Sequence, residues 1–165
     1  MTTSATPEQG GVDGALAVAP TYVGRWVSAR VGTDFLTVLD ARTHAIIADE
    51  PIPLGGKDLG MTPYELLLAS LSSCMAMTMR MYANRKGWPL ESASIQLRTA
   101  PTRDPDREVR IAGARSLTRI ERRIELTGAL SAEQRARLVE IADRCPIKRN
   151  LEAGLEVIGV PDDSP

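Results

Sequence analysis

Residues 62–89, TPYELLLASLSSCMAMTMRMYANRKGWP, describe a helix with both ends spelled out. Thr62 is placed to cap it, Pro63 suits its first turn, and Glu65, three residues after Thr62, completes a capping box. At the other end Asn84, Arg85 and Lys86 bring donors and positive charge to the last carbonyls. Gly87 can turn left-handed, and Pro89 blocks continuation. The interval is about 24 residues, or roughly 36 Å of unbroken helix. Leu66 to Met81 is apolar or small on most sides, interrupted by Ser70, Ser72, Ser73, Thr78 and Arg80. That pattern predicts a helix in the middle of a fold, clasped by sheet or by a second subunit, rather than a membrane span.

Upstream, YVGRWVSARV (22–31) alternates with Val23, Val27, Ala29 and Val31 on one face, and FLTVLDARTHAIIADE (35–50) reads as two strands folded at Asp40 to Thr43. Together they predict a β-meander. PIPLGGKDLGM (51–61) is a Pro- and Gly-punctuated loop leading to the helix. Downstream, ESASIQLRTA (91–100) and SLTRIERRIELTG (116–128) alternate as an antiparallel hairpin joined by a polar segment from Pro101 to Gly113. Ser131 with Gln134 is a second capping box, opening a helix whose Ala132, Ala136, Leu138, Val139, Ile141 and Ala142 form the expected buried face. Pro146 stops that helix just past Cys145, a short helical turn follows through Leu151, and LEVIGV (155–160) closes as a strand. The class is α+β, with one domain over 21–160 between tails at 1–20 and 161–165.

Composition narrows the function. Twenty basic residues against 21 acidic ones leave a net charge of -1, too little field to hold nucleic acid or an anionic membrane, so neither is an expected partner. One His, His44, and two Cys, Cys74 and Cys145, fall short of a closed zinc site. The N-terminal stretch lacks the charged flank and apolar run of a signal peptide, so the expected compartment is the cytoplasm. In that reducing setting the cysteines are not expected to form a permanent structural bridge.

Cys74 lies inside the long helix and Cys145 at the end of the later one. Either could be a small buried hydrophobe. Ser72 and Ser73, as hydrogen-bond donors, and Lys148 and Arg149, as cations, are the features that would favour thiolates instead. Met75, Met77, Met79 and Met81 spread around the helix and suit a deformable core or a dimer contact better than a metal. His44 is read as a surface residue in a β-turn. GGKDLG lacks the strand, spacing and Lys-Ser/Thr ending of a phosphate loop, and the Arg-rich TRIERRIE, interleaved with Glu121 and Glu125, is a solvated mixed-charge face.

LGGKDLGMTPYELLLASLSSCMAMTMRMYANRKGWPLE (54–91), followed by ADRCPIKRNLE (142–152), resembles the OsmC/Ohr family, in the branch that reads GG, Pro, ELLLA and then Cys. The resemblance runs from about Asp49 to the last strand. It implies an OsmC-like fold: antiparallel sheets wrapped around a long central cysteine-bearing helix, in an intertwined homodimer with active sites near the subunit interface. It further implies a thiol-dependent peroxidase in oxidative stress defence. Cys74 would be the peroxidatic thiolate and Cys145 the resolving thiol, small organic hydroperoxides the substrate and a dithiol, typically lipoyl-type in the family's hydroperoxide reductases, the reductant. No metal, flavin or haem is required. Peroxidatic members add a Glu and an Arg beside the thiolate. The family's Glu position, ten residues before the cysteine, is here Tyr64, with Glu65 at nine. Arg25, Arg30 and Arg42 are the candidate cations, and Arg42 is carried forward with Glu65. The alternative is a non-catalytic or redox-regulated OsmC-like protein binding an apolar ligand at the dimer interface.

Overall fold

The structure, a computed structural model, describes residues 26–100 and 119–159. The expected tails, the Pro101–Gly113 connection, Val23 and Arg25 lie outside the described residues. Strands β1 (Ser28–Val31), β2 (Thr37–Ala41) and β3 (His44–Ala48) form an antiparallel sheet in that order, the expected meander. Ala41 faces His44, so Arg42 and Thr43 alone make the turn, and Arg42 takes a left-handed φ of 59° to close it. His44 is therefore the first residue of β3 and not a turn residue, though it is exposed as expected.

Buried Asp49 organises the segment that follows. Its carboxylate accepts the backbone N–H groups of Glu50 at 2.9 Å, Lys57 at 3.0 Å and Leu59 at 3.2 Å. Burial pushes this carboxyl up, but the three donors outweigh it and hold the group below its ordinary value. The loop lies so close to β3 that a Cβ at Gly60 would run into the Ile47 carbonyl.

Helix α1 (Pro63–Lys86) starts and stops as the sequence predicts. Thr62 Oγ1 accepts the Glu65 N–H at 3.3 Å, Glu65 Oε2 accepts the Thr62 N–H at 2.8 Å, and Gly87 ends the helix at φ 65°. Strands β4 (Ser92–Ala100) and β5 (Arg119–Thr127) pair antiparallel with Ile95 opposite Ile124. Ala93, Ile95, Leu97, Ile124 and Leu126 pack on the core, while on the other face Arg98 pairs with Glu121 at 2.7 Å. By length and composition α1 would suffice to cross a membrane; here one side of it packs on β4, on α2 (Ala132–Ala142) and on α3 (Pro146–Ala153).

Helix α2 carries its capping box, Ser131 with Gln134, but its buried face is narrower than expected. Leu138, Ile141 and Ala142 are buried, whereas Ala132, Ala136 and Val139 are exposed. Val139 is one step of about 100° from Leu138, and Ala132 and Ala136 are rotated still further from it. Helix α3 continues past Leu151 to Ala153. Residues 154–159 form no strand, contrary to the reading of LEVIGV, and Val157 is 94% exposed. Alternation makes a strand only where an edge supplies hydrogen bonds, and within this chain no described edge does.

The core joins α1, α2, Leu90, Leu130 and the inner face of the β4–β5 hairpin, and no side chain of β1–β3 enters it. The methionines divide by helical phase: Met75 and Met79 are 2% and 0% exposed, Met77 and Met81 65% and 48%. One side of α1 thus lies in the core and the other is bare apolar surface.

Candidate active site

Cys74 and Cys145, 71 positions apart, are joined by a disulfide with 5.9 Å between their Cα atoms. The helical phase of α1 sets the position of Cys74. Buried Leu71, Met75 and Thr78 lie to one side of its direction. Leu67 and Met81, seven residues away in either direction, fall within roughly 20° of it and remain exposed. Cys74 therefore occupies the seam between core and bare surface and is partly buried.

Cys145 sits at the corner between α2 and α3. It is the N-cap of α3, its N–H bonds the Ala142 carbonyl at 3.2 Å, and its carbonyl accepts the Arg149 N–H at 3.1 Å. It is fully buried in the same cluster as Leu138, Ile141 and Ala142. The corner is clamped by charge. Arg122 on β5 donates to both oxygens of Asp143, two residues before Cys145, with the Nη2 bond at 2.9 Å. Lys148 lies 3.5 Å from the same carboxylate and 2.6 Å from Glu152. The Arg122 hydrogen bond holds the Asp143 carboxyl below the usual carboxylate range. Sequence reading missed Arg122 and Asp143 as neighbours of the site, because only the docking of β5 against the α2 end joins them.

The supporting groups fall elsewhere. Ser72 and Ser73 donate to the carbonyls of Ala69 at 3.1 Å and Ser70 at 3.0 Å, so neither hydroxyl serves the sulfur. Glu65 is spent in the capping box, and the bonds from Thr62 hold its carboxyl below the ordinary value. Nine steps of about 100° put it on the side of α1 opposite Cys74. Tyr64 is exposed and nearer in direction to the cysteine. Arg42 stands at the tip of the β2–β3 turn, and Arg30 pairs with Asp40. Among the described residues no hydrogen bond brings a cation to either sulfur, so the structure joins Cys74 with Cys145 but gathers neither Glu65 nor Arg42 to them. An open cleft lined by Asp58, Met61, Glu65, Leu68, Ser72 and Leu97 contains neither cysteine. Among the described residues no cluster of three or more His, Cys, Asp or Glu could hold a metal ion.

A partly buried cysteine bonded to a fully buried one is an arrangement for thiol chemistry, and similarity to known proteins places the chain that carries it. Residues 55–158 match the family model of the OsmC-like protein, across both cysteines. The chain belongs to the OsmC-like family. Solved structures share the OsmC-like fold at low identity. An OsmC-like protein from Mycoplasma pneumoniae is 18% identical over 78% of this chain and 86% of its own, with a TM-score of 0.63. An organic hydroperoxide resistance protein OsmC from Legionella pneumophila is 18% identical over 76% and 86%, with a TM-score of 0.52. An OsmC-like protein of unknown function from Vibrio cholerae is 15% identical over 75% and 92%, with a TM-score of 0.57. No curated protein matches the sequence.

Proposed function

We propose that this OsmC-like protein is a cytoplasmic, cysteine-dependent peroxidase that reduces organic hydroperoxides. The observation that carries this reading is the pairing of a partly exposed Cys74 with a buried Cys145 from a different helix corner. The Cys74 thiolate attacks the hydroxyl oxygen of the hydroperoxide, the O–O bond breaks, the departing alkoxide takes a proton from water and leaves as the alcohol, and Cys74 becomes a sulfenic acid. The Cys145 thiol then attacks that sulfur, releasing water and forming the disulfide. A dithiol of lipoyl type returns the two electrons, and no metal or organic cofactor takes part. Apolar Leu67, Met77 and Met81, exposed on the side of α1 that Cys74 borders, suit alkyl substrates. Treatment of reduced protein with one equivalent of cumene hydroperoxide is expected to remove both thiols and yield the intramolecular Cys74–Cys145 bond. Thiols that survive this treatment count against the peroxidase.

The working form in this reading is an intertwined homodimer. Trp26, Val27, Val31, Phe35, Ile46 and Ile47 of the meander and the Met77–Met81 side of α1 are exposed apolar groups that the chain leaves uncovered, more than isolated surface residues would require. A second copy would cover them and could bring a cation to Cys74. Sedimentation is expected to find a species of twice 17.8 kDa, and Met77→Glu to shift it to the monomer. A monomeric wild-type protein at micromolar concentration overturns the dimer.

The non-catalytic, apolar-ligand reading draws support from one observation: among the described residues no hydrogen bond from Glu65 or from a cation reaches the Cys74 sulfur. The disulfide is uncharged, however, so the oxidised form has no need of a cation beside it. The thiol measurement separates the two readings.

A further inference from the structure

The two sulfurs are unequally buried, and their chemistry follows from that difference. We propose that a thiol reductant enters the disulfide only through Cys74, that Cys145 is the sulfur released, and that the Arg122–Asp143–Lys148 clamp keeps Cys145 closed to direct attack. The proposal rests on the peroxidase cycle for its physiological setting and on the disulfide alone for its chemistry.

Thiol–disulfide exchange requires a thiolate to reach the sulfur it attacks. Cys145 is 0% exposed, and a second copy of the chain could only bury it further. The corner that carries it is pinned from β5 by Arg122 and from α3 by Lys148, both through Asp143. Cys74, at the seam of α1, is the one of the two cysteines with exposed surface, and a dimer that admits peroxide to it leaves the same opening for the reductant. Attack on Cys74 by a reductant thiolate forms a mixed disulfide and breaks the S–S bond, whose electron pair departs on Cys145. That thiolate is formed at the N-cap of α3, where the helix dipole offsets part of the cost of its burial. The second thiolate of the dithiol then attacks its own sulfur in the mixed disulfide, closing the reductant's ring and releasing the Cys74 thiolate.

Brief exposure of oxidised wild-type protein to glutathione, followed by acid quench, unfolding, alkylation and mass mapping, locates the first adduct. Glutathione is expected on Cys74 in at least roughly tenfold excess, with Cys145 alkylated. An adduct mainly on Cys145 overturns the proposal. In reduced single variants, Cys145→Ser is expected to react with an aromatic disulfide reagent at least about a hundredfold faster than Cys74→Ser in native buffer, and equally in guanidinium. Comparable native rates overturn it. Adding Arg122→Gln is expected to raise the rate of the Cys74→Ser protein about tenfold and leave that of Cys145→Ser unchanged; no change at Cys145 removes the clamp from the proposal. Trapping on Cys74 in a protein that ignores cumene hydroperoxide supports this inference while removing the peroxidase. Trapping on Cys145 in a protein that consumes the peroxide does the reverse.

Discussion

Cys74→Ser is expected to slow consumption of cumene hydroperoxide, with dithiothreitol as reductant, by roughly a thousandfold or more. A serine hydroxyl has no appreciable ionised population at neutral pH and cannot supply the sulfur that accepts the peroxide oxygen. Cys145, the only other thiol in the sequence, cannot substitute, because it is sealed in the core with Leu138 and Ile141. Cys145→Ser separates the two roles. Without added thiol it is expected to consume one equivalent of peroxide promptly and then progress to sulfinic acid as excess peroxide is added, since no second thiol resolves the sulfenic acid. Residual peroxide and intact-protein mass measure both outcomes. A Cys74→Ser protein retaining more than about a tenth of the wild-type rate would falsify the assignment.

The largest expected effect on stability comes from Leu138→Ala. Leu138 is fully buried in the layer shared by α1 and α2, in one cluster with Met75, Met79, Ile141 and Cys145. Truncation removes apolar burial and leaves a cavity, at a cost of about 2–5 kcal/mol. For a chain of this size that lowers the melting midpoint by roughly 5–20 °C, read by circular dichroism on the reduced protein. Val139→Ala, one residue away on the exposed side of α2, is expected to change the midpoint by no more than a few degrees.

The contrast between these neighbours shows what the sequence reveals. The limits of α1 were legible because capping is local: Thr62, Glu65 and Gly87 act within a turn of the helix ends they define. The meander and hairpin were legible from alternation, and Asp40–Thr43 marked the fold-back closely enough for the register to place it at Arg42 and Thr43. The inward face of α2 was only partly legible, because small and branched apolar residues such as Ala136 and Val139 occur on both sides of a short helix. LEVIGV misled for a related reason, since alternation says nothing about whether an edge is present. Within the site, a separation of 71 positions leaves no local signal that Cys74 meets Cys145; the family resemblance supplied that pairing. Glu65 was ambiguous because one residue serves equally well, in sequence, as a cap or as a catalytic acid. Helical phase and the hydrogen bonds from Thr62 show that it caps.

The capping box at Thr62 also acts at a distance. By fixing where α1 begins, it fixes the rotational setting of every residue after it, including the sulfur twelve positions on, counted as 74 minus 62. A single inserted or deleted residue in that interval would swing Cys74 through about 100°, carrying it off the seam and out of reach of its partner. Length changes should therefore be tolerated in the loop before Thr62 far better than between Thr62 and Cys74, so that the start of the helix works as the zero mark of a dial on which the redox centre is a single reading.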